Sequence, residues 1–81
     1  MNNERRKEIG SALTKISLIE DLVADLESAR DDEQEYRDNI PESMQDGEKA
    51  TAADDVIEAL DELIERLGDV QDLVSQVESL L

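Results

Sequence analysis

The chain has 81 residues, with 23 acidic and 8 basic side chains, a net charge of −15, no Cys, no His and one aromatic residue, Tyr36. That length holds one small domain with a limited core, a size at which self-association often supplements stability. Without Cys or His there are no disulfides, no thiolate or imidazole metal ligands and no Ser–His or Cys–His nucleophile pairs. One aromatic ring is too few for a base-stacking platform, and the charge repels nucleic acid and anionic membranes, so neither is expected as a direct partner.

The N-terminus lacks the apolar stretch of a signal peptide, and no apolar run is long enough to span a bilayer, which makes the cytoplasm the expected location. Met1–Asn3 reads as a polar lead in which Asn2 or Asn3 caps the first helix, with Glu4 favourably placed at the positive end of the helix dipole. Arg5, Arg6 and Lys7 follow. Residues 1–15 carry four basic and two acidic side chains, and residues 16–81 carry four basic and 21 acidic. This asymmetry suits a staggered or antiparallel self-association.

Ile9, Ala12, Leu13, Ile16, Ile19, Val23 and Leu26 recur at intervals of three and four, the spacing of one helix face. The same line continues into Arg30, Glu33 and Arg37, while a neighbouring line through Leu22, Leu26, Ala29, Glu33, Tyr36 and Ile40 stays mostly apolar. The pattern predicts one helix over about 3–38 whose apolar face drifts near its end. The run Asp31-Asp32-Glu33-Gln34-Glu35 opposes the dipole there, with Arg30 and Arg37 offsetting it through pairs such as Glu33–Arg37.

Residues 39–50 form the predicted turn. Pro41 stops the first helix and can open a short helical turn through Met44, and Gly47 marks a bend. Thr51 is the expected N-cap of a second helix over about 52–81. In it Val56, Leu60, Leu63, Leu67, Val70, Val74, Val77 and Leu81 follow gaps of four and three without a miss. This is a heptad seam, and Ile57, Ile64, Leu73 and Leu80 widen it beyond what one partner helix needs. Gly10 and Gly68 are placed on outer faces. The expected fold is all-α: an antiparallel two-helix hairpin with coiled-coil-like packing, dimerising into a four-helix bundle through the second-helix seam together with Ile16, Ile19, Val23 and Leu26.

Chemistry is sparse. Carboxylates four apart, such as Asp54/Glu58, Glu58/Glu62 and Asp61/Glu65, could hold a divalent cation, but a di-iron bundle needs a Glu-x-x-His motif and there is no His. Asp31, Glu33, Glu35, Arg37, Asn39 and Glu42 echo a calcium loop, yet Tyr36 stands where that loop requires Gly. No metal, cofactor or enzymatic activity is expected; the remaining chemistry is charge. A carboxylate-studded rod can imitate the phosphate rows of a duplex and fill a basic groove on another protein. It can equally serve only to keep an apolar bundle soluble. Asp31, Asp32, Glu33, Glu35, Tyr36, Asp54, Asp55, Glu58 and Glu62 are the candidate partner-binding residues, Tyr36 being either a core-edge residue or an interface anchor.

The opening Met-Asn-Asn-Glu-Arg-Arg-Lys-Glu-Ile and the central Asp38-Asn39-Ile40-Pro41-Glu42-Ser43-Met44-Gln45, with Gly47-Glu48-Lys49 after it, resemble a group of small uncharacterised phage and prophage proteins. Those proteins place an acidic helix on each side of an Asn-Leu-Pro-Glu-Ser-Leu-Gln-type turn. Many carry an aromatic residue just before Asp-Asn, where this chain has Arg37 with Tyr36 beside it. The resemblance implies a phage origin and favours a role in countering host defence or redirecting a host protein. A structural or assembly role, with the apolar face packed on phage components, is the alternative.

Overall fold

The computed structural model describes residues 3–81; Met1 and the cap expected at Asn2 lie outside the described residues. Three α-helices follow one another: α1 (Asn3–Leu13), α2 (Ile16–Asp38) and α3 (Glu48–Ser79), with one 3₁₀ turn at Glu42–Met44. Helices α1 and α2 run nearly end to end and α3 returns along them, giving a rod of 64 × 15 × 15 Å. The antiparallel hairpin is therefore present, with its helix boundaries altered in two places.

The first alteration divides the expected 3–38 helix at Thr14-Lys15. Besides Gly10, the half-buried positions of the first arm are Ile9, Leu13, Ile16, Ile19, Val23, Leu26, Arg30, Glu33, Arg37 and Ile40. Their gaps alternate three and four except at Leu13–Ile16–Ile19, where two threes meet. A helix of 3.6 residues per turn cannot keep both steps on one face unless it winds more tightly. It does so through three-residue hydrogen bonds: Lys15 N–H donates to the Ala12 carbonyl (3.3 Å), and Leu18 N–H to that of Lys15 (3.0 Å). Thr14 Oγ1 donates to the Ser11 carbonyl at 2.6 Å, which helps hold the tightened turn.

The second alteration concerns α3, which begins at Glu48 and not at Ala52. Gly47, extended at φ −82° and ψ 176°, occupies the N-cap position expected for Thr51. Thr51 lies inside the helix, and its N–H and Oγ1 both donate to the Gly47 carbonyl at 3.0 and 3.2 Å. A Cβ at Gly47 would stand 3.1 Å from the Met44 carbonyl oxygen, so the close approach of the turn to the helix start favours glycine. The turn is tied back onto α2. Gln45 Nε2 donates to the Ile40 carbonyl at 3.1 Å, and an Arg37 terminal nitrogen donates to the Gln45 carbonyl at 3.4 Å.

The line of α3 that faces α2 runs through Ala50, Ala53, Ile57, Leu60, Ile64, Leu67, Gln71 and Val74. It shares Leu60, Leu67 and Val74 with the expected seam. Val56, Leu63, Val70 and Val77 instead lie outside it and are 39–45% exposed. Among the described residues only Ala50 and Ala53 are fully buried, both close to the turn. Nor does the α2 face drift to Tyr36. The inward line keeps Arg30, Glu33 and Arg37; Arg37 lies level with the small residues near Ala53, and Glu33 and Arg30 lie beside Ile57, Leu60 and Ile64. Gly68 and Gly10 also differ from expectation: both are half-buried on the flank of the seam, and a Cβ added at Gly10 would stand 4.0 Å from Leu81 Cδ1. α3 is continuous through Gly68.

Candidate interaction surfaces

The register of the hairpin is read from two ion pairs. Arg37 Nε meets Asp54 Oδ1 at 2.9 Å, and an Arg30 terminal nitrogen meets Asp61 Oδ1 at 3.1 Å. Seven residues back along α2 matches seven residues forward along α3, as an antiparallel heptad pair requires. The pairs replace the Glu33–Arg37 contact expected within the helix. Arg30 also reaches Asp31 at 3.1 Å. Its hydrogen bonds to Asp61, and secondarily to Asp31, raise its pKa above the ordinary arginine value, so the guanidinium stays charged at any working pH.

Both arginines turn to the same side, and that side is polar on each helix. On α3, Asp54, Asp61, Gly68 and Ser75 flank the seam here, with Glu58, Glu65 and Asp72 next outward. On α2, the corresponding positions are Glu20, Glu27 and Gln34, then Asp31 and Asp38. Equivalent flanks of two antiparallel helices fall on one side, because the local two-fold axis relating the helices is normal to their common plane. The result is a carboxylate-rich strip along the rod whose two guanidinium groups are already committed to Asp54, Asp61 and Asp31.

The opposite side is apolar. Val56, Leu63, Val70 and Val77 form a straight row on α3 with Leu73 and Leu80 beside it, and Leu22, Ala29 and Tyr36, with Leu18, form its counterpart on α2. Every exposed large aliphatic of α2 and α3 lies on this side, together with Tyr36. At the turn, the same side opens into a recess of about 660 Å³ lined by Tyr36, Ile40, Pro41, Met44 and Lys49 among others. Tyr36 and Lys49 occupy equivalent flank positions on the two helices, so their meeting there confirms which flanks share a side.

The candidate partner-binding residues consequently do not form one patch. Asp31, Asp54 and Glu58 lie on the polar strip. Asp32 borders the apolar side at the position equivalent to Leu18, and Glu35, Asp55 and Glu62 point outward from the backs of the helices. Glu33 faces α3 and is half-buried, and Tyr36 belongs to the apolar side. The calcium-loop echo is unwound by the same geometry: residues 31–37 are helical, so their carboxylates spread around the axis and do not converge. Among the described residues no three acidic side chains are grouped to hold a metal ion, and no helix is long and apolar enough to cross a membrane. Sequence reasoning missed Asp61 as a pairing residue; its position seven residues after Asp54, matching Arg37 and Arg30, was the available signal. No known protein family matches the chain, and neither a curated protein nor a solved structure does.

Proposed function

We propose that this is a phage-encoded, non-enzymatic interaction protein that works in the host cytoplasm as a homodimeric four-helix bundle. It binds a basic surface of a host protein, as a nucleic-acid mimic acting against host defence. The observation that supports this reading most is the division of the rod into one acidic and one apolar side.

Charge density supports the mimic reading. A net charge of −15 on a 64 Å rod is one charge per about 4 Å. Side-by-side pairing of two rods gives one per about 2 Å, close to the roughly 1.7 Å spacing of duplex DNA. A groove built for phosphate rows would find a comparable linear charge on the dimer and only half of it on a monomer.

Binding to host nucleic-acid-binding proteins, measured in extract at low and high salt, tests the proposal. Retention should fall steeply with salt and be competed by duplex DNA. Retention that survives high salt and disappears with Leu63→Glu supports instead the assembly role, in which the apolar side packs on phage components. No retention of any nucleic-acid-binding or defence protein at low salt rejects the mimic reading.

A further inference from the structure

We infer that two hairpins close their apolar sides on each other with their turns at the same end, so that α2 of each copy lies over the partner's α3. Asp25 of each copy then meets the partner's Arg66, twice per dimer, beside a contact of Leu18 with the partner's Leu73. The inference deepens the self-association in the proposed function and rests on it.

Asp25 and Arg66 interrupt the apolar side. Its outer line reads Ala59, Arg66, Leu73 and Leu80 on α3, and Leu18, Asp25 and Asp32 on α2. Arg66 is the one basic residue of α3 beyond its first turn. Within the hairpin Arg66 pairs only with Glu62, at 3.4 Å, and the two side chains are 73% and 67% exposed. A pair so open to water holds the guanidinium weakly. Asp25 has no ion pair among the described residues. The two cannot meet within one hairpin, because each lies on the outer line, turned away from the other helix.

A second copy brings them together. The Arg30–Asp61 pair sets the relative heights of the helices. Asp25 is five residues back from Arg30 and Arg66 five residues on from Asp61, so the two are level. Twelve residues away in the same directions, Leu18 is level with Leu73. The inner rows match to within one residue: Leu22 with Val70, Ala29 with Leu63 and Tyr36 with Val56. A two-fold axis along the rod leaves every residue at its own height, so the dimer inherits this register and cannot slide from it. Leu22 then packs on the partner's Val70, Ala29 on the partner's Leu63 and Tyr36 on the partner's Val56, with Asp25 opposite the partner's Arg66.

Opposed turns bury the same face at a charge penalty. They lay α2 on the partner's α2 and α3 on the partner's α3. Centred on the row from Val56 to Val77, they set Asp25 against the partner's Asp25 and Arg66 against the partner's Arg66. In exchange they bring Lys15 near the partner's Asp32. Arg30 and Arg37 are held on the polar side by Asp61 and Asp54, so α2 supplies no cation to such a contact. With the turns together, each α2–α3 contact has its own arginine. Lys15, Asp32 and Lys49 come level with the partner's Gln76, the partner's Ala59 and the partner's Glu42.

The chain contains no Cys, so introduced thiols report the arrangement directly. Tyr36→Cys and Val56→Cys chains, mixed under mild oxidation, should give a disulfide-linked heterodimer identified by mass. Val56→Cys mixed with Val77→Cys, which opposed turns would join, should give none. Sedimentation should show a dimer at micromolar concentration for the unmodified chain. Asp25→Arg and Arg66→Asp should each weaken it about tenfold, and both substitutions in one chain should restore the affinity to within about threefold. Opposed turns predict no loss for either single variant, since each exchanges one like-charge contact for another. A compact monomer at micromolar concentration for the unmodified chain overturns self-association altogether. A dimer that cross-links through Val56→Cys with Val77→Cys, or through neither mixture, or that the double exchange fails to restore, overturns the turns-together arrangement alone.

Discussion

Replacing Arg37 by Ala removes the least exposed member of the ion pairs, with 19% of its side chain exposed against 56% for Asp54. Three effects combine. The Arg37–Asp54 pair at 2.9 Å is half in solvent on its acidic side, so it is worth up to about 1 kcal/mol. The 3.4 Å hydrogen bond to the Gln45 carbonyl is long and contributes roughly 0.5 kcal/mol. Packing of the aliphatic stem in the seam beside small residues adds about 0.5–1 kcal/mol. Arg37→Ala should therefore cost about 2 kcal/mol. Asp54→Asn should cost at most about 1 kcal/mol, because the freed guanidinium can still reach water. Arg37→Met, which keeps the stem, should fall between them. For a domain of this size each kcal/mol moves Tm by about 4–8 °C, provided all variants are compared at one protein concentration. Urea and thermal unfolding followed by far-ultraviolet circular dichroism give the values, and a double-mutant cycle with Asp54→Ala isolates the pair. A coupling below about 0.2 kcal/mol would mean that the pair does not stabilise the register.

Further outcomes follow from the packing. Gly68→Ala should stabilise the hairpin by about 0.5–1 kcal/mol, since a Cβ there meets no heavy atom within 4 Å and α3 is unbroken; a lower Tm would show that α3 bends at this point. Gly47→Ala should have the opposite sign, costing about 1 kcal/mol, because the added Cβ crowds the Met44 carbonyl that already accepts the Gly47 N–H at 3.0 Å. Ala53→Leu overfills the fully buried seam position near the turn and should cost about 1–3 kcal/mol in urea unfolding; an unchanged midpoint would contradict the close approach of the two arms.

The hairpin was legible from the sequence because alternating three- and four-residue gaps occur on both sides of Pro41. The inward line of α3 was not, for a geometric reason. The line through Val56, Leu60, Leu63 and Leu67 and the line through Ile57, Leu60, Ile64 and Leu67 share every second member and have the same spacing. Apolarity favours the first, which is all large aliphatic. The structure uses the second, because the facing helix supplies Arg30 and Arg37, whose guanidinium groups reach the flanking Asp61 and Asp54, with Ala53 beside Arg37. That choice depends on pairing between residues far apart in sequence, which a period taken along one helix does not contain. The break at Thr14-Lys15 was visible in principle, as the adjacent three-residue steps Leu13–Ile16–Ile19.

The displaced seam has a consequence for the whole surface. Had Val56, Leu63, Val70 and Val77 faced α2, the hairpin would have buried its largest side chains and presented polar residues on both sides. Turning α3 by one flank position places two Ala residues and Gln71 in the seam and leaves that aliphatic row in solvent. An isolated hairpin gains nothing from this, since each exposed valine and leucine forgoes roughly 1 kcal/mol or more of burial. The arginines take part in the same geometry: by reaching towards Asp54 and Asp61, they neutralise charge on the polar side and none on the apolar side. Exposure of the row becomes favourable only when something covers it, as the self-association proposed above would do.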